Sequence, residues 1–169
     1  MNTGNPELLV RRARTTDVRA IKAIIDGYVG RVLLAKPLVT LYEDVQEFLI
    51  AEQSGQVVGC GALHVLWEDI GELRTIAVRS GVTRKGIGHV LVDALIAGAK
   101  ELGLARLFVL TFETSFFAAH GFVEIEGTPV SPEVYDEIRR SLDEGVAEFL
   151  DLPYVKPNTL GNARMLLEL

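Results

Sequence analysis

The stretch ELRTIAVRSGVTRKGIGHVLVDAL, residues 72–95, governs the reading of the 169-residue chain. Its first part, up to Val78, is apolar and β-branched and reads as a strand, GELRTIAV. Its last part spaces Ile87, Val90, Leu91, Ala94 and Leu95 at a period near 3.6, with Leu102 further on. That predicts a helix from about Gly86 to Leu102. Between strand and helix lie Arg79, Arg84 and Lys85 and the pair Gly86 and Gly88. Glycine lets the backbone turn sharply and come close to a ligand. The first N–H groups of a helix have no intrahelical acceptor, and the positive end of the macrodipole stands behind them. Bare backbone, cations and a helix start together predict a phosphate or pyrophosphate site.

Four readings fit such a stretch unequally. A dinucleotide fingerprint needs a third glycine where Leu91 stands, and it belongs early in a βαβ unit. A P-loop needs Gly-Lys-Ser/Thr, which is absent. A glycine-rich turn without ligand and a CoA pyrophosphate site remain.

Outward from this stretch the pattern is mixed. LLVRRA (Leu8 to Ala13) reads as a first strand, and Val18, Ile21, Ile25 and Tyr28 mark one face of a helix. Pro37 breaks that pattern, and Thr40 with Glu43 forms a capping box that predicts a short helix. FLIAEQ and QVVGCGALHVL read as a hairpin around Ser54–Gly55. ARLFVLTF is a further strand and TSFFAAH about two helical turns. Ser131 as N-cap and Pro132 at the first helical position predict a helix in SPEVYDEIRRSL, and RMLLEL closes the sheet. The expected fold is a single α/β domain over residues 1–169, with a mixed, mostly antiparallel sheet flanked by helices.

Composition narrows the function. Half the residues (49%) are hydrophobic, enough for a full core, and the formal charge of −6 argues against nucleic-acid binding. No segment approaches the length of a membrane span and the N-terminus lacks a signal-peptide core, so a cytoplasmic protein off the membrane is expected. Cys60 is the single cysteine, which excludes an intrachain disulfide and a multi-cysteine metal site, and no metal is expected.

TRKGIGHVLVDAL preceded by ELRTIAV resembles the acetyl-CoA signature of the GNAT N-acetyltransferases. That signature is an Arg/Gln-x-x-Gly-x-Gly/Ala loop opening a helix after a strand with a small-apolar end. FFAAHGF (116–122) resembles a later segment of the same family, and the elements from Val10 to about Glu126 follow the family order. The resemblance implies that acetyl-CoA is the cosubstrate. It further implies that the backbone of Ile76, Ala77 and Val78 binds the pantetheine arm. The amides of Arg84, Lys85, Gly86, Ile87, Gly88 and His89 would hold the pyrophosphate. Thr83 replaces the usual Arg or Gln, with Arg84 beside it. Phe117 replaces the Tyr that in many members protonates the departing thiolate, which leaves the general acid unassigned.

Acetyl transfer to an amine requires a base, a donor to the carbonyl oxygen and a departing thiolate. Glu72 stands six residues before Val78 and fourteen before Gly86, the spacing of the general-base glutamate in one GNAT branch. Strand alternation predicts Glu72, Arg74 and Ile76 on one face, where apolar neighbours would raise the carboxyl pKa. The plainer reading is a solvent-facing Glu paired with Arg74. His64, His89 and His120 are other proton carriers, read more simply as packed or solvated, with His89 acting through its amide. Cys60 reads as a small buried hydrophobe.

LLAKPLVTLYEDVQEFLIAEQSGQVVGCGAL (33–63) and LGNARMLLEL (160–169) resemble the GNAT domain of N-acetylglutamate synthases more closely. This implies L-glutamate or a similar small amino acid such as glutamine as acceptor, at the first step of arginine biosynthesis. Lys36 and Arg74 are then the substrate-carboxylate residues, with Arg31, Lys156 and Arg164 behind them. Each is otherwise a solvated surface charge. A homodimer is a possible assembly. Two other functions stay open: a GNAT enzyme acting on another small amine or a peptide amine, and a non-catalytic CoA-binding regulator.

Overall fold

Ser54 and Gly55 both take positive φ, 51° and 74°, the twist that a two-residue hairpin turn demands. They join β2 (Phe48–Gln53) to β3 (Gln56–Val65) in the antiparallel register expected. The computed structural model describes residues 7–31, 33, 35–82, 85–152 and 161–169. Around the hairpin a seven-stranded sheet forms in the order β1-β2-β3-β4-β5-β7-β6. Here β1 is Leu8–Arg12, β4 Ile70–Val78, β5 Arg106–Thr111, β6 Val123–Glu124 and β7 Ala163–Glu168. All neighbours are antiparallel except β4 and β5. The C-terminal strand does not close the sheet as expected. β7 inserts between β5 and β6 and leaves two-residue β6 at the edge.

α1 (Val18–Asp26) lays Val18, Ile21, Ile24 and Ile25 on one face of the sheet, against Phe48, Ile50, Cys60 and Ala62. α2 (Leu38–Glu43) adds Leu41 to this cluster. It starts three residues earlier than the expected capping box implies: Pro37, with φ −59° and ψ 150°, is the N-cap, and Thr40 lies inside the helix. α3 (Ile87–Glu101) covers the other face, its Leu91 and Leu95 packed over Gly59 and Gly61 of β3. Its buried stripe is Ile87, Leu91, Val92, Leu95 and Ala99, whereas Val90 and Leu102 point outward. α4 (Thr114–Ala118) adjoins the start of α3, and α5 (Pro132–Ile138) is capped by the Ser131 hydroxyl as expected.

α6 (Glu144–Phe149) is a helix that periodicity did not reveal. It is only six residues long, and its start depends on the Asp143 carboxylate accepting the Val146 N–H at 2.8 Å. Val146, Ala147 and Phe149 bury with Ile70, Phe108 and Ile138 in a cluster on the α1 face of the sheet. His64, Glu72 and Arg74 occupy the strip between this cluster and the α1 cluster.

Candidate active site

A register shift in β4 creates the site. Cys60 pairs with Ala77 but Ala62 pairs with Arg74, so Thr75 and Ile76 together oppose the single residue Gly61. Thr75 takes φ 57°, a left-handed conformation costly for a β-branched residue. Such a bulge increases local twist. β4 and β5 pair from Ile70↔Arg106 to Leu73↔Val109 and then part, although β4 runs on to Val78 and β5 to Thr111. Between their diverging ends opens a cleft of about 410 Å³. It reaches from Gly88 and Phe116, past residues 72–78 and 109–113, to Lys36 on one side and Glu144, Gly145 and Glu148 on the other.

The bulge also corrects the expected alternation. Glu72 and Arg74 share the face of the α1 cluster, but Ile76 packs with Leu73 and Leu95 on the α3 face. The extra residue reverses the side on which every later side chain emerges.

Glu72 and Arg74 are both buried, with side chains 8% and 9% exposed. Arg74 Nε donates to Glu72 Oε2 at 2.8 Å, and Arg74 Nη2 lies 2.8 Å from Asp143 Oδ1. A side chain at Gly145 would come within 2.6 Å of Arg74 Nη2, so either α6 or the guanidinium held by Glu72 and Asp143 would have to shift. Burial pushes the Glu72 carboxyl above its ordinary value, and Arg74 moderates that rise. Burial also works against the charge of Asp143, but Arg74 and the Val146 N–H outweigh it and hold that carboxyl below its ordinary value. Arg74 is therefore a cation already neutralised from two sides, while Lys36 lines the cleft with no ion pair to a described residue. The plainer reading of Glu72, a solvent-facing strand residue, does not hold: its side chain is buried in the cleft wall.

At the other end, Gly86 takes φ 87° and caps α3 with no side chain in the way. Its own carbonyl takes the first helical bond, from Val90 N, so the N–H groups of Ile87, Gly88 and His89 are left without intrahelical acceptors. Lys85 is exposed beside them, and Arg84 lies outside the described residues. His89 Nδ1 sits 2.8 Å from His120 Nε2, and His120 Nδ1 sits 3.0 Å from Asp93. Ile76, Ala77 and Val78 line the cleft. The Val78 carbonyl accepts from the Tyr28 hydroxyl at 2.6 Å. A phosphate ligand fits the helix start, and an extended arm with amide groups fits the parted strands, because β4 has no β5 partner beyond Leu73.

Several sequence candidates lie elsewhere. Arg31 is exposed and donates to the Gly27 carbonyl. Arg164 donates to the carbonyls of Gly127, Glu148 and Phe149 and stacks over Phe108, so it ties down the end of α6. Lys156 lies outside the described residues. Cys60 is buried and its thiol is pushed up to about 12, which leaves no thiolate at neutral pH. Phe117 packs edge-on against Phe116 and Phe122 in the core. Sequence reasoning missed Asp143, Gly145 and Glu148, which share no local motif with β4; the Asp-x-x N-cap pattern before Val146 was the available signal.

A split sheet with a bare helix start at the mouth of the split is the architecture of a transferase that takes its acyl group from CoA. The profile of the acetyltransferase (GNAT) family matches residues 26–125, and this chain belongs to that family. An amino-acid acetyltransferase of Mycobacterium tuberculosis is 66% identical to it, over 95% of this chain and 94% of that protein. The crystal structure of Rv2747 from Mycobacterium tuberculosis, which contains CoA, matches it with TM-score 0.92 at 66% identity, over 95% of this chain and 99% of that one. N-acetylglutamate synthase from Neisseria gonorrhoeae, complexed with coenzyme A and N-acetyl-glutamate, matches with TM-score 0.76 at 25% identity, over 96% of this chain and 35% of that one. The chain is an acetyl-CoA-dependent acetyltransferase with the GNAT fold. Among the described residues no helix is long and apolar enough to cross a membrane.

Proposed function

We propose that this chain acetylates the α-amino group of L-glutamate, with L-glutamine as a second acceptor, at the first step of arginine biosynthesis. The observation that carries the reading is Glu72: a buried carboxylate in the wall of the cleft, where the strands part. The identity to an amino-acid acetyltransferase and the likeness to a synthase solved with N-acetyl-glutamate support the acceptor class.

Bound acetyl-CoA supplies an acyl group already activated as a thioester. The amides of Lys85 to His89 hold its pyrophosphate, and the backbone of Ile76, Ala77 and Val78, where β4 has no β5 partner, aligns the arm so that the acyl carbon comes close to Glu72. Ionised Glu72 takes one proton from the acceptor ammonium and frees the nitrogen lone pair to bond to that carbon. Arg74 favours the ionised form of Glu72 and fixes its orientation. Phe117 has no exchangeable proton, so the second proton lost by nitrogen goes to sulfur as the carbon–sulfur bond breaks. Glu72 then returns its proton to solvent, and the sum is amide, thiol and one proton. Lys36 takes an acceptor carboxylate.

Thiol release from acetyl-CoA across amino acids, amines and histone-like peptides tests the reading. Glutamate and glutamine should give the highest kcat/KM, and acetylation of peptides in their place would overturn it. Lys36→Ala should raise KM for glutamate about tenfold and leave KM for acetyl-CoA near wild type. An equal rise in both would remove Lys36 from carboxylate binding.

A further inference from the structure

α6 presents Glu144, Gly145 and Glu148 to the cleft, at positions i, i+1 and i+4 of one helical face, while its other face is buried. Glu144 is exposed at the rim, but Glu148 is half-buried. The Glu148 backbone carbonyl is taken by Arg164, whereas its carboxylate has no hydrogen bond or ion pair to a described residue. A carboxylate withdrawn from water and left without a donor is costly unless a ligand supplies one. The neighbouring cation that could serve, Arg74, is already shared between Glu72 and Asp143. Lys36 also lines the cleft, close enough for its charge to act on Glu148 but with no ion pair between them. Among the described residues at the acceptor end, Glu148 is a half-buried carboxylate and Lys36 a cation, and neither is ion-paired to a described residue. A zwitterion suits both: an ammonium for the anion, a carboxylate for the cation.

We propose that Glu148 selects the acceptor, its carboxylate receiving the α-ammonium of a free amino acid while Lys36 takes a carboxylate of the same molecule. This rests on the amino-acid reading above and deepens it. The ammonium so held lies between Glu148 and Glu72, so one carboxylate anchors it and the other removes its proton. Amines and peptide side chains without an adjacent carboxylate engage only half of the pair, which is how the cleft rejects them.

Glu148→Gln and Glu148→Asp separate binding from folding, with calorimetric CoA affinity as the check that each variant is intact. Glu148→Gln should raise KM for glutamate and glutamine about tenfold or more, the loss of a charged hydrogen bond, with KM for acetyl-CoA within about twofold. Glu148→Asp keeps the charge and should recover most of that loss. Glutarate, which has the carboxylates without the ammonium, should inhibit Glu148→Gln at least as well as wild type. An unchanged amino-acid KM in Glu148→Gln, or equal weakening of glutarate and glutamate, overturns the role of Glu148. If wild-type protein acetylates no amino acid at all, the proposed function has failed instead, and the two failures are distinct.

Discussion

At the α3 end of the cleft, the candidate site is built from backbone: the φ 87° turn at Gly86, the amides without intrahelical acceptors behind it and the part of β4 without a β5 partner all lie within residues 74–89. At the α6 end it is built from side chains that arrive from distant segments: Lys36 ahead of α2, Glu72 and Arg74 on β4, Asp143, Gly145 and Glu148 around α6. On the proposed function, the common part of the reaction, holding acetyl-CoA, uses groups every sequence possesses. The variable part, choosing the amine, uses groups a few substitutions can change. Cofactor binding and acceptor choice should therefore be separable by mutation.

The sharpest separation should come from Glu72→Gln. It removes the base while leaving the helix start intact, so kcat should fall about a hundredfold or more with calorimetric affinity for CoA unchanged. Loss of CoA affinity in the same variant would erase the distinction between the two ends. Gly86→Val tests the other end. A β-branched residue at that φ costs about 1–2 kcal/mol, so KM for acetyl-CoA should rise about tenfold while KM for glutamate stays put.

A smaller effect is expected in the pH profile. Glu72 works ionised and its pKa is raised by burial, so kcat/KM should fall as pH drops through a value above 4.5. Arg74 opposes that rise, so Arg74→Gln should move the acidic limb to higher pH. A limb that stays or moves down would mean Arg74 does not tune the base. Smallest of all, Gly145→Ala should lower kcat a few-fold by pushing α6 off Arg74, with acetyl-CoA KM unaltered in the same initial-rate assay.

The cofactor end was legible in the sequence because its information is local. Gly86, Gly88 and the apolar residues of α3 place turn, amides and helix start within one short stretch, and the structure puts Gly86 at the N-cap as read. Glu72 and Lys36 were found by spacing and resemblance, and both line the cleft. The face assigned to Ile76 was misread because a bulge at Thr75 has no signature that alternation can detect. Thr75 is among the last residues expected at positive φ. The place of β7 was misread for a related reason: an apolar strand carries its face in its sequence but not its neighbour.

By itself the sequence determined six of the seven strands, the long helix and the glycine turn that opens it, since each depends on periodicity or on spacing within a few residues. Tertiary structure alone decided that Asp143 also holds Arg74, that Gly145 lets α6 approach it, and that Lys36 and Glu148 line one cleft. Those pairings join residues up to about a hundred positions apart. Nothing in the local pattern reports them, because only burial and the packing of the sheet bring such charges together.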